Sequence, residues 1–147
     1  MEQIYPYVQI VHLICAIIFL GYIFFDVMIF SRLKSALGAD YERVKKAIGS
    51  RAIKIMPVCL FTLIITGGMM MSRWVGSANG GYFGTPLQKI FMLKVTLALI
   101  IAVCVAINLS CRAMGRPAPE FLRANIHKIA FVFGFIIVLC AKLMFVV

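Results

Sequence analysis

Four apolar blocks, at about 7–30, 52–71, 88–109 and 121–147, alternate with three polar stretches along the chain. Each block is near the ~20 residues needed to cross ~30 Å of hydrocarbon at 1.5 Å per residue. The pattern therefore predicts four transmembrane helices. The first connection, Ser31–Arg51, is basic and carries a short amphipathic piece, Tyr41–Ile48 (YERVKKAI), compatible with a cytoplasmic extension of a helix. Pro57 falls in the first turns of the second predicted helix, where a missing N–H costs least. Gly67 and Gly68 near its far end permit close helix approach. The second connection, Ser72–Lys89, mixes glycines with Trp74, Tyr82 and Phe83. Trp and Tyr favour the membrane–water interface, so this stretch is expected to lie on the membrane surface. Gly115, Pro117 and Pro119 break the chain before the last block. The expected fold is all-α: an integral membrane four-helix bundle, up-down-up-down, forming one domain over residues 1–147.

Composition agrees with the pattern. The chain is 63% hydrophobic and 14% charged, with a mean hydropathy of +1.03. Soluble domains carry roughly 45–50% apolar and about 25% charged residues. A soluble enzyme, a secreted disulfide scaffold and a disordered regulator are all excluded. The five cysteines form no CxxC or CxxCH arrangement, which removes zinc-finger, thioredoxin-like and covalent c-type haem readings. The first block is too long for a signal-peptide core and is expected to stay in the membrane.

The formal net charge of +10 would suggest nucleic acid in a soluble protein, but its location says otherwise. Eleven of the fifteen basic residues lie in two stretches: Arg32, Lys34, Arg43, Lys45, Lys46, Arg51 and Lys54, then Arg112, Arg116, Arg123 and Lys128. The middle connection holds only Arg73 and Lys89. By the positive-inside rule the two basic connections face the cytoplasm. Both termini are then expected on the periplasmic side of a bacterial inner membrane, with the bilayer as partner and no nucleic acid.

In so apolar a chain, ionisable residues at membrane depth carry the functional signal, because each costs ~2.5–3.5 kcal/mol at mid-bilayer. The candidates are His12, Asp26, Lys94, His127 and Lys142. His12, Lys94 and Lys142 fall ~7–9 Å below the same predicted surface. One imidazole and two ammonium groups at one level suit an anionic ligand. Each lysine alone is explained as well by its stem lifting the charge to the headgroups. His12, Phe19 and Asp26 follow at seven-residue spacing, which places them within about 40° of one helix face. That face is expected to be interior. Asp26 near the opposite rim is open to two readings: an ion pair with Arg32, Lys54 or Lys128, or a proton relay. His127 sits most of a membrane thickness from His12, so the two cannot ligate one haem within a single subunit. Met69, Met70, Met71 and Met92 bring soft sulfur to the depth of His12, where thioethers suit Cu(I) or the second axial position of haem. Ordinary filling of apolar space explains them equally.

Taken in order, the segments VHLICAIIFLG, FSRL, RAIKIMP, FMLKVTLALIIAV and LRANIHKIAFVFGFIIVLCAK resemble the four-helix membrane proteins of the HemJ type, the oxygen-independent protoporphyrinogen oxidases. They are also similar to copper-resistance D (CopD-like) membrane domains. The resemblance implies that His12 is a haem b ligand and Lys94 its essential partner. Asn125 and Lys142 match the fourth-helix pattern more loosely. The chain departs from the family where AIIFLGYIFF replaces a tryptophan-bearing stretch and where FSRLKS lacks the family's proline and second histidine. The leading expectation is a haem b-binding membrane protein with an electron-transfer or oxidoreductase role. His12 would ligate iron, and Lys94, Lys142 and Arg73 would pair the propionates. Met70, Met92, water or a histidine of another subunit would complete the iron's coordination. A quinone or porphyrin is the expected substrate class. Faces of Gly21, Gly67, Gly68, Ala98, Ala102 and Gly134 favour a homo-oligomer. The alternatives are a copper-handling protein, with His12 and the methionines receiving Cu(I), and a small assembly partner of a larger membrane complex.

Overall fold

The computed structural model describes residues 3–146, and among these the chain is all-α, with no named strand. Four long helices form: α1 (Tyr5–Phe24), α2 (Tyr41–Met71), α3 (Pro86–Ala113) and α4 (Glu120–Leu143). Three helical runs are long and apolar enough to cross a membrane: Tyr5–Met71, Pro86–Ala113 and Glu120–Leu143. Only 11–17% of the residues in their most apolar windows are buried inside the protein. Ile17, Val58, Phe61 and Phe135 all point outward with more than half their surface exposed. Apolar patches of that extent are not left facing water. This is a membrane protein.

The chain divides into two compact units, one ending at Gly67 and the other beginning at Gly68. In the first unit α1 does not stop at Phe24. It widens into a π-helical turn, Phe25–Ile29, and tightens into a 3-10 turn, Phe30–Leu33. A short helical turn, Lys34–Leu37, and a second 3-10 turn, Gly38–Asp40, lead into α2. Gly38 holds φ +51°, a conformation that L side chains adopt rarely, and this is where the helical run changes direction. The Phe30 and Tyr41 rings stack across the reversal, 5.0 Å between centroids and 14° between planes. Beyond that stack, Cys15 meets Cys59, and further out His12 meets Thr66. Contacts nested in this way define an antiparallel helical hairpin.

Helix α2 begins eleven residues before the predicted 52, because the amphipathic piece Tyr41–Ile48 continues into the apolar block without a break. Its 31 residues span about 46 Å, some 16 Å more than the hydrocarbon. Pro57 is therefore interior rather than in a first turn, and the carbonyl of Ile53 loses its usual intrahelical donor.

In the second unit α3 and α4 pack against each other. Leu122, Ile126, Ala130 and Gly134, four residues apart, form a single buried stripe on α4. The small pair Ala130 and Gly134 suits close approach of helix backbones. At the end where α3 starts and α4 finishes, Val75, Phe91 and Met144 form a buried apolar plug, flanked by Met71, Trp74, Leu87 and Met92.

Candidate functional site

The first unit holds a partly buried polar constellation that involves a histidine. His12 is half-buried on the inner face of α1, with Phe19 and Ile23 fully buried further along that face. Its Nδ1 lies 2.8 Å from Thr66 Oγ1 on α2. Thr66 is itself only 7% exposed, and its hydroxyl donates to the Thr62 carbonyl one turn back at 2.6 Å. A hydroxyl has one proton. That proton can go to the Thr62 carbonyl or to the ring, so the two hydrogen bonds fit either tautomer of His12, and Nδ1 is the ring nitrogen engaged with α2. Ligating histidines are oriented in the same way, one ring nitrogen held by an oxygen. Gly67 lies against the same ring, and a Cβ there would reach 3.4 Å from Cε1, in ordinary contact.

The remaining predicted residues are placed as follows. Asp26 sits half-buried in the π-helical turn, one turn after Tyr22, with which it interacts electrostatically. Single π turns inside helices recur at functional positions. In the second unit Lys94 is half-buried one turn along α3 from Phe91, and its Nζ lies 4.9 Å from that ring's centroid. A cation over an aromatic face gains ~0.5–2 kcal/mol, the more when desolvated. Among the described residues no carboxylate pairs with Lys94. Lys142 and Arg73 are exposed, Met70 and Met92 half-buried, and His127 half-buried on α4. Met92 packs against the apolar plug, the ordinary filling role of methionine. No group of three or more His, Cys, Asp or Glu side chains able to cage a bare metal ion occurs among the described residues. A haem iron needs only one or two protein ligands.

The connection between α2 and α3 is held together by hydrogen bonds of its own. Gln88, 3% exposed, sits at its centre. Its Oε1 accepts from the backbone of Gly84 at 2.9 Å and Thr85 at 3.3 Å. Its Nε2 donates to the carbonyls of Asn79 at 2.8 Å and Trp74 at 3.4 Å. Thr85 Oγ1 in turn accepts from the Gln88 N–H, completing a capping box at the start of α3. Trp74 packs edge-on against Phe145, 5.3 Å between centroids, while Tyr82 and Phe83 stay exposed. Thr66 and Gln88 were not among the residues singled out from sequence. The Thr85-x-x-Gln88 spacing is a sequence signal for the second. For Thr66 the only signal is its i, i+4 relation to Thr62.

No family model, curated protein or solved structure matches the chain. The class defined by fold and composition is an all-helical membrane protein.

Proposed function

We propose that this chain is a haem b-binding protein of a bacterial inner membrane, with an electron-transfer or oxidoreductase role of the HemJ type. The carrying observation is the His12–Thr66–Thr62 chain of hydrogen bonds in the first unit. It holds one ring nitrogen of His12 against an oxygen, as the outer partners of ligating imidazoles do, and the surrounding surface is apolar, as a flat hydrophobic macrocycle requires. His12 Nε2 is the proposed axial ligand. Bound haem would supply one-electron redox chemistry. Thr66 holds the ring's orientation, and Gly67 lies against its α2 side. In the second unit, Lys94 is the cation we assign to an anionic ligand group, with Lys142 and Arg73 exposed at the same end of the chain's charge pattern.

The two helical hairpins are read as four crossings in an up-down-up-down bundle with both termini periplasmic. The support is the division of eleven basic residues in two connections against two in the third. The test is the haem content of detergent-purified protein, measured as the pyridine haemochrome. The expected result is haem b in the wild type and in His127→Ala, with most of it lost in His12→Ala. A colourless wild type, with or without bound copper, would refute the reading.

A further inference from the structure

The segment between the first two apolar blocks has a use that haem binding does not require. Residues 32–54 hold seven basic side chains, Arg32, Lys34, Arg43, Lys45, Lys46, Arg51 and Lys54, against two acidic ones, Asp40 and Glu42. All seven are exposed. Arg43 pairs with Asp40 at 3.2 Å, with the two side chains 80% and 63% exposed, so water screens the pair.

Two features separate this segment from a solvated loop. It is ordered: the chain is helical through the π, 3-10 and α turns from Phe25 to Tyr41, and the Phe30–Tyr41 stack closes the reversal. Cations on an ordered scaffold lose less freedom on binding than cations on a mobile loop. It is also layered. Tyr41 is buried and Val44 and Ile48 half-buried on one side of α2, whereas Arg43, Lys46 and Lys54 are exposed on the other. Arg32 and Lys34 follow the first apolar block within four residues of Phe30. Arg51 and Lys54 lie within two residues of Ala52, where the second block begins. With the apolar blocks filling the hydrocarbon, those four fall at headgroup level and Arg43, Lys45 and Lys46 further out along α2.

We infer that Arg32, Lys34, Arg51 and Lys54 form a collar that binds the phosphate headgroups of anionic phospholipids in the bilayer the chain spans. The complementarity is of charge and of level: four guanidinium and ammonium groups at the depth of lipid phosphates. A lysine or arginine near an anionic surface contributes an association factor of about fivefold.

The experiment uses the full-length protein in phosphatidylcholine vesicles carrying trace spin-labelled phosphatidylglycerol or spin-labelled phosphatidylcholine. The immobilised fraction is read by electron paramagnetic resonance. The expected result is at least about fivefold preference for phosphatidylglycerol at 50 mM salt, collapsing toward none at 500 mM. The double variants Arg32→Gln/Lys34→Gln and Arg51→Gln/Lys54→Gln should each lose much of the preference, and Lys89→Gln should keep it. Equal association of the two lipids with wild type at low salt would overturn the inference. So would a preference that both double variants retain, or displacement of the lipid by a single-stranded oligonucleotide at 150 mM salt. The salt titration on wild type tests the preference itself, and the double variants assign it to the collar rather than to Arg112, Arg116, Arg123 and Lys128.

Discussion

Replacing Gln88 with leucine keeps the side chain's bulk and removes the four side-chain hydrogen bonds by which Gln88 ties the α2–α3 connection together. Two of its four contacts are short, 2.9 Å from Gly84 N and 2.8 Å to Asn79 O; the other two, at 3.3 and 3.4 Å, are weaker. An orphaned buried donor or acceptor costs ~1–3 kcal/mol. Water can reach parts of a loosened connection, so the loss is set by the two short bonds at about 2–6 kcal/mol. The assay is built into the chain, because Trp74 is its single tryptophan and packs on Phe145 beside the apolar plug. Gln88→Leu should red-shift Trp74 emission, open it to iodide quenching and lower the melting temperature in detergent. Thr85→Ala is the control. It loses the capping bond, worth about 1 kcal/mol, while leaving the bonds from Gln88 to Asn79 and Gly84 in place. Unchanged emission, quenching and melting in Gln88→Leu would show that the connection is held by its apolar contacts alone.

Three further outcomes are expected. Thr66→Val, which removes the hydroxyl at almost constant volume, should weaken haem retention about 10–100-fold without unfolding the hairpin; haem titration of the apoprotein measures it. Lys94→Met keeps the apolar stem and deletes the charge, so it should weaken binding of an anionic ligand; unchanged binding with a higher melting temperature would mean that Lys94 only carries a desolvation cost. A reporter fused after Val147 should be active only when its fold matures in the periplasm, and activity in the cytoplasm would reverse the assigned orientation.

The parts of the fold legible in the sequence are those fixed by local pattern. Long apolar blocks give helices whatever their neighbours, and the seven-residue recurrence of His12, Phe19 and Asp26 picks out the face on which Phe19 is buried and the other two are half-buried. Boundaries were less legible. Nothing in FDVMI marks a π turn, whereas the amphipathic YERVKKAI is compatible with an extension of a helix, and α2 does run through it into the apolar block. Long-range pairing was not legible at all. Thr66 is 54 residues from His12, and only the nesting of the hairpin brings its hydroxyl to the ring. Gln88 reads as a helix-start residue from its capping box, yet its contacts to Trp74 and Asn79 depend on how the glycine-rich turn closes, with Gly76 and Gly81 bridged to each other.

The central claim, that His12 Nε2 ligates haem iron, is tested most directly by chemical rescue. His12→Ala protein is reconstituted with haem b, and its Soret band is followed as imidazole is added. The account predicts a weak or shifted band without imidazole and recovery of the wild-type band position and intensity as imidazole occupies the vacated space beside Thr66. A wild-type Soret band in His12→Ala before any imidazole is added would contradict it.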